Sequence, residues 1–112
     1  MKRVFKAARN SLVGIKAAIK HHTAFRQEIF IGAALTPLAI YLGEDGVQRA
    51  ILIGSLVLVL IVELLNSAIE TAVDRISTEY HKLSKHAKDL GSAAVFVSVV
   101  NVPLIWGLIL FQ

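Results

Sequence analysis

Cysteine is absent from this 112-residue chain, and its absence removes several kinds of chemistry at once. Without thiols there is no disulfide framework, no thiolate nucleophile and no zinc–thiolate site. The chain also lacks the glycine-rich loops with which common folds bind phosphate, because neither GxxxxGK[ST] nor GxGxxG occurs in it. If a nucleotide binds, we expect it to bind in a site built between helices.

Charged residues are few, at 18% of the chain, whereas hydrophobic residues reach 55% and the mean hydropathy is +0.65. The apolar residues come in blocks and are not spread along amphipathic elements, which is typical of membrane proteins. The length allows a single domain, residues 1–112. The composition therefore predicts one all-α membrane domain.

The first segment, residues 1–22, is amphipathic and basic. Phe5, Leu12 and Ile19 follow the three- and four-residue spacing of one helical face. The basic residues are Lys2, Arg3, Lys6, Arg9, Lys16 and Lys20. A basic amphipathic helix lies in the headgroup layer of a membrane, so we predict a surface helix here.

Three apolar blocks follow, and they predict transmembrane helices at about 24–43, 50–74 and 90–111. We expect Pro37 to kink the first of them, which a membrane span tolerates when its neighbours satisfy the freed carbonyl. Basic residues are concentrated before the first span and between the second and third. By the positive-inside rule the N-terminus is cytoplasmic and the C-terminus lies outside.

Acidic and amide side chains form a file along the second predicted span. On a helix, Glu63, Asn66, Glu70 and Asp74 fall within an arc of roughly 80° and extend over about 16 Å. An ionisable group inside a bilayer costs at least about 2.5 kcal/mol, so these groups must face protein, water or a ligand. Three carboxylates on one face also repel one another unless cations intervene.

Three interpretations fit this file. Polar side chains can hold helices together in a membrane, although three carboxylates are unusual in that role. A buried Glu in a small oligomeric protein also fits a proton-coupled transporter. The third interpretation is a metal–nucleotide enzyme in which the buried Glu63 is a base and the shallower Glu70 holds magnesium. The residues alone leave the second and third interpretations open.

Four runs of residues carry a resemblance over nearly the whole chain. They are residues 63–70 (ELLNSAIE) with Asp74 and Arg75, residues 79–81 (EYH), residues 87–94 (AKDLGSAA) and residues 24–28 (AFRQE). Together they resemble the bacterial integral-membrane diacylglycerol kinases, a family that includes the undecaprenol kinases. Residues 25–28 are more similar to the diacylglycerol-kinase branch.

The resemblance implies a homotrimer in the bacterial cytoplasmic (inner) membrane, with active sites shared between neighbouring subunits. It implies that the protein uses Mg²⁺ and ATP to phosphorylate diacylglycerol to phosphatidate, with undecaprenol as the alternative acceptor. No nucleic acid is involved. By position, Glu63 is the general base, Asn66 holds it and the substrate, and Asp74 supports the site.

The remaining roles follow from the same resemblance. Glu70 is implied to bind Mg²⁺ that bridges the phosphates. The residues implied to contact the nucleotide are Glu79, His81, Lys88 and Asp89. Those implied to lie along the lipid path are Arg3, Phe25, Arg26, Gln27, Glu28, Ser92 and Trp106.

One residue departs from the family pattern. His22 occupies the position where the family usually has a second metal-binding Glu. Imidazole is a poor ligand for the hard Mg²⁺ ion, which prefers oxygen. We therefore expect weakened magnesium binding in this chain, with Glu70 as the main metal ligand and His22, at the family's Glu position, as a poor one.

Overall fold

Four α-helices make up the computed structural model, which describes residues 1–76 and 79–112. They are α1 (Lys2–His21), α2 (Thr23–Leu42), α3 (Gly46–Ile76) and α4 (Lys82–Leu110). The described residues contain no β-strand. The all-α class predicted from composition is confirmed.

The junction between α1 and α2 depends on Arg26. The chain leaves α1 at His22, whose extended backbone (φ −120, ψ 104) lets α2 start in a new direction. Arg26 reaches back from α2 and donates to the carbonyls of Ile19 (3.3 Å) and Lys20 (3.2 Å). A cation at a helix C-terminus satisfies open carbonyls and complements the helix dipole, so Arg26 helps to fix where α1 ends.

The turn between α2 and α3 uses the same device. Arg49 donates from Nε to the carbonyl of Ile40 in the last turn of α2, at 2.9 Å. Asp45 accepts from the backbone N–H of Gln48 at 2.8 Å, which is the usual way in which an acidic residue caps a helix N-terminus. These polar contacts allow α3 to begin at Gly46, before the apolar block that marks the predicted span.

Helix α4 likewise begins well before its apolar block, at Lys82 rather than about residue 90. The cap is His81, whose Nδ1 accepts from the backbone N–H of Leu83 at 3.1 Å. Hydropathy marks only the apolar part of a helix, whereas capping and local hydrogen bonds extend it into the polar region.

Two of the described helices, α3 and α4, are long and apolar enough to cross a membrane. Helix α2 runs without a break through Pro37, and Thr36 donates its hydroxyl to the carbonyl of Gly32 at 2.7 Å. Its first turns carry Arg26, Gln27 and Glu28, which lower its hydropathy. That α2, the first of the three predicted spans, crosses the membrane therefore stays a prediction.

Helices α3 and α4 pack against each other and carry the centre of the structure. On α3 the buried apolar residues are Leu52, Leu56 and Val59, which repeat at the spacing of one helical face. Trp106 of α4 donates from its indole Nε1 to Ser55 Oγ at 3.1 Å and to the Leu52 carbonyl at 3.3 Å. This contact joins the apolar ends of α3 and α4. It thereby helps to fix how the polar residues further along α3 are aligned with α4.

Candidate active site between α3 and α4

The buried face of α3 changes from apolar to polar at Glu63. The same face that buries Leu56 and Val59 continues with Glu63, which is 6% exposed, and Asn66, which is 7% exposed. Glu70 follows, half-buried, and Asp74 is exposed. The predicted file of polar side chains thus runs from the packed interior of the chain to its surface.

Asn66 links two members of this file. Its Nδ2 donates to Glu70 Oε1 at 3.3 Å, while its Oδ1 is buried without a hydrogen-bond partner. This orientation places the amide nitrogen, a donor, toward the carboxylate, since the amide oxygen would repel it. Asn66 therefore orients the Glu70 carboxylate from one turn of α3 away.

Glu28 of α2 lies beside Glu63. The two carboxyl groups are close enough for their charges to interact, and Glu28 Oε2 is buried without a hydrogen-bond partner. Two carboxylates at such separation repel each other when both are charged, and a proton or a cation relieves the repulsion. The deep end of the site therefore holds two acidic groups, contributed by two helices.

An open pocket of about 410 Å³ lies over this file. Its lining includes Glu63, Asn66 and Glu70 from α3, Ser92 from α4, and His22 from the α1–α2 junction. The structure thus brings both residues considered for metal binding, Glu70 and His22, to one pocket with the candidate base. The lining combines carboxylate, amide, hydroxyl and imidazole groups.

A second pocket, of about 230 Å³, lies at the outer end of the file. Its lining includes Asp74 and all four residues that the resemblance assigns to the nucleotide. These four are Glu79, His81, Lys88 and Asp89. Its lysines are ion-paired, Lys88 Nζ to Asp74 Oδ1 at 2.7 Å between helices and Lys85 Nζ to Asp89 Oδ2 at 2.6 Å within α4. Both pairs are largely exposed, so each is worth little in stability.

The Lys88–Asp74 pair also affects the charge of the lysine. Lys88 lies before the apolar part of α4, and its hydrogen bond to Asp74 raises the pKa of its ammonium group, with the negative charges of Asp74 and Glu70 acting in the same direction. Lys88 therefore keeps its positive charge throughout the physiological range. It is available to a phosphate group if Asp74 releases it.

The structure does not gather all the residues assigned to the lipid path. Ser92 lies in the first pocket and Glu28 beside Glu63. Phe25 is 2% exposed, and Arg26 binds the end of α1. Gln27 and Arg3 are exposed and line neither pocket, and Trp106 contacts Ser55 in the apolar part of the α3–α4 interface.

The side chains of the first pocket fit a magnesium ion only if other groups complete its coordination. Among residues 1–76 and 79–112 no three His, Cys, Asp or Glu side chains come together as a metal-binding group. Magnesium commonly binds through one or two carboxylates and completes its coordination with waters and substrate phosphates. Glu70, held by Asn66, supplies such a carboxylate, so the site fits a magnesium ion that is bound together with phosphate groups.

Sequence reasoning missed two features of this site. The pairing of Glu28 with Glu63 joins residues far apart in the chain, and no local periodicity reports on it. The second feature is Gly91 of α4, which is buried against Asn66. The sequence did not single it out, because Gly54 and Gly107 also lie inside predicted spans and have no such contact.

Comparison with known proteins places the chain in a family. Residues 9–110 match the family described as prokaryotic diacylglycerol kinase. A diacylglycerol kinase from Haemophilus influenzae is 49% identical over 108 residues, covering 96% of this chain and 92% of the relative. One from Pseudomonas aeruginosa is 47% identical over 110 residues (98% and 89%), and one from Escherichia coli K12 is 46% identical over 110 residues (98% and 90%).

The structure has acidic side chains next to two helices that are long and apolar enough to cross a membrane, and the family match makes the protein an enzyme of the lipid kinase class. The chain belongs to the prokaryotic diacylglycerol kinase family. The resemblance drawn from its motifs is thereby confirmed. Because the family is one of kinases, it favours the enzyme interpretation over the transporter.

Proposed function

We propose that this protein transfers the γ-phosphate of ATP to the free hydroxyl of diacylglycerol, giving phosphatidate and ADP at the cytoplasmic face of the bacterial inner membrane. The observation that carries the proposal is the position of Glu63. It is a buried carboxyl group that lines a pocket, at the end of a polar file that leads to a second pocket containing lysines. The relatives named diacylglycerol kinase support the choice of acceptor.

In this mechanism Glu63 is the general base. Its carboxylate accepts the proton of the lipid hydroxyl as the hydroxyl oxygen forms a bond to the γ-phosphorus. The bond between the γ-phosphorus and the bridging oxygen breaks, and that oxygen leaves with ADP. General-base catalysis of this kind typically contributes about 10²- to 10⁴-fold to a rate. Glu63 is buried apart from the face that it turns to the pocket, and the charged group beside it is a second carboxyl group, that of Glu28.

In this proposal the nucleotide binds in the outer pocket. Phosphoryl transfer depends mainly on positioning and on neutralisation of phosphate charge. Lys88 supplies a cation next to the pocket, and Asp74 holds that cation in place when no phosphate is bound. Glu79, His81 and Asp89 line the same pocket and are assigned to the nucleotide by the resemblance. His81 uses Nδ1 to cap α4, which leaves its Nε2 for a ligand.

Glu70 is the proposed magnesium ligand, and Asn66 orients its carboxylate. A magnesium ion held by Glu70 would supply positive charge that offsets the charge developing on the phosphates during transfer. His22 lines the same pocket but has a ligand chemistry that suits magnesium poorly. We therefore assign Glu70 as the metal ligand and treat weak magnesium binding as a property of this chain.

The proposed assembly is a homotrimer with three transmembrane helices in each subunit, α2, α3 and α4. A single chain leaves the pocket over Glu63 open on one side, where a neighbouring subunit would close it. Large apolar side chains such as Phe30, Phe96 and Leu108 are exposed in the single chain and need lipid or protein around them. The basic α1 lies on the membrane surface, and the distribution of basic residues places the N-terminus in the cytoplasm.

The test is an ATP-dependent phosphorylation assay on the purified protein in lipid bicelles. Diacylglycerol and undecaprenol are supplied separately with magnesium and γ-labelled ATP. We expect labelled phosphatidate and much slower labelling of undecaprenol. Preferential labelling of undecaprenol would assign the protein to the other branch, and labelling of neither lipid would refute the proposal.

A further inference from the structure

Gly91 differs from the other helical glycines in what lies around it. A Cβ atom added at Gly14, Gly32, Gly54 or Gly107 would meet no heavy atom within 4 Å beyond its chain neighbours and the adjacent backbone of its own helix. At Gly91 a Cβ would overlap Asn66 Oδ1 and lie 3.3 Å from Asn66 Cγ and 3.8 Å from Ile69 Cδ1. The nearest of these atoms belong to one side chain of the candidate site, on the opposite helix.

A glycine in the interior of α4 carries a cost. Glycine is less favourable than alanine inside a helix by roughly 1 kcal/mol, because it loses more backbone freedom on folding. At Gly107, in the same helix, the surroundings give no steric reason for a glycine. At Gly91 they do, since the missing side chain is the space that the Asn66 amide occupies.

The amide of Asn66 has little freedom in this position. Its oxygen faces Gly91 and its nitrogen faces Glu70, and the two atoms are fixed relative to each other by the planar amide group. The residue is almost completely buried between α3 and α4. Displacing the oxygen from Gly91 therefore turns the nitrogen away from Glu70. The hydrogen bond is 3.3 Å long, so a small rotation is enough to break it.

We propose that Gly91 is a positioning residue of this site: its lack of a side chain lets Asn66 lie against α4 and hold the Glu70 carboxylate in place. The inference rests on the proposed function for its kinetic consequences, because Glu70 is the assigned magnesium ligand. The structural part, that a side chain at position 91 displaces the Asn66 amide, does not depend on the substrate.

The kinetic test is a double-mutant cycle on Gly91 and Asn66. We expect Gly91→Ala to lower kcat about tenfold and to raise the magnesium concentration needed for half-maximal activity, since hydrogen bonds to charged groups contribute at this level. Gly107→Ala is the matched control and leaves both quantities unchanged. In an Asn66→Ala background, Gly91→Ala is expected to have no further effect. An equal loss in both backgrounds would show that Gly91 acts through helix packing alone and would overturn the proposal.

A spectroscopic test separates this inference from the proposed function. The chain has three asparagines, Asn10, Asn66 and Asn101, so selective ¹⁵N-asparagine labelling gives three side-chain amide signals. Loss of one signal in Asn66→Ala assigns it. Gly91→Ala should shift that signal and leave the other two in place, whereas Gly107→Ala should not move it. If the Asn66 signal stays in place in Gly91→Ala, the inference fails, even when the parent protein is an active lipid kinase.

Failure of Gly91→Ala to fold would also be informative. If the new methyl group clashes with Asn66, removing the Asn66 side chain relieves the clash. The double variant should then recover the thermal stability of Asn66→Ala alone. A double variant that remains unfolded would place the role of Gly91 elsewhere and overturn the proposal.

Discussion

The two ends of the polar file on α3 are built differently. At the deep end, Glu63 is buried and its charged neighbour is a second carboxyl group, that of Glu28. At the outer end, Asp74 is exposed and paired with Lys88, and Asp89 is paired with Lys85. The file on α3 thus ends next to a second acid inside the protein, whereas at the surface it ends next to the cations of α4.

This difference corresponds to two kinds of chemistry. A carboxyl group without a cation is suited to taking up a proton, and its burial makes an uncompensated charge costly enough to favour that exchange. Exposed ion pairs are weak and can be replaced at little cost when phosphate groups arrive. The deep end therefore suits proton transfer from a lipid hydroxyl, and the outer end suits binding of a charged nucleotide. Each prediction below tests one side of this comparison.

The largest effect is expected at the deep end. Glu63→Gln keeps the shape and polarity of the side chain but removes its ability to accept a proton, so kcat should fall by about 10²- to 10⁴-fold. The apparent affinity for ATP should change little, because the proposed nucleotide site is the other pocket. The measurement is the steady-state rate of diacylglycerol phosphorylation as a function of ATP concentration.

The matched control for this change is Glu44→Gln. Glu44 lies in the exposed turn between α2 and α3, and its side chain lines neither pocket of the site. It should keep full activity. If neutralising Glu63 and Glu70 together left lipid phosphorylation intact, the acid file would not be the site of the chemistry.

At the outer end we expect a smaller effect, and we expect it mainly on the KM for ATP and less on kcat. Lys88→Ala should raise the KM for ATP about tenfold with a smaller change in kcat, because a charge-assisted contact to phosphate is lost. Lys82→Ala is the control, since Lys82 is exposed at the start of the same helix and lines neither pocket. A large fall in kcat for Lys88→Ala with no change in KM would erase the distinction between the two ends.

The helices and the acid file were predictable from the sequence because both follow from local periodicity. Glu63, Asn66, Glu70 and Asp74 share a face on any α-helix, and the apolar blocks show where long helices lie. The helix ends were less predictable. α3 and α4 begin at Gly46 and Lys82 because Asp45 and His81 cap them, and hydropathy does not register a cap.

Contacts between helices were out of reach. Glu28 beside Glu63, Asn66 against Gly91 and Trp106 on Ser55 each join two helices, and their partners are set by how the helices pack. One sequence contains no information on which faces meet beyond their general polarity. For His22 the resemblance indicated a place near the metal, and the structure adds that the residue lines the same pocket as Glu70.

His22 allows a test of the middle of the file. His22→Glu places a second carboxylate in the pocket of Glu70, and magnesium affinity rises with the number of charged oxygen ligands. We expect the magnesium concentration for half-maximal activity to fall several-fold. His86→Glu, on an exposed part of α4 that lines neither pocket, adds the same charge elsewhere and should not change it. An unchanged magnesium dependence in His22→Glu would remove His22 from the metal site.

The smallest effect is expected where the file gives way to the apolar interface. Trp106→Phe keeps an aromatic ring but removes the indole N–H that bonds to Ser55 and Leu52, so the free energy of unfolding should fall by about 1 kcal/mol. Thermal unfolding measures this loss, and Trp106→Phe in a Ser55→Ala background should cost less, because one acceptor is already gone. The KM for diacylglycerol should stay the same if Trp106 serves only to join α3 and α4. A raised KM at unchanged stability would instead place Trp106 on the lipid path that the resemblance assigns to it, and would extend the site beyond Glu63 into the apolar half of the helix pair.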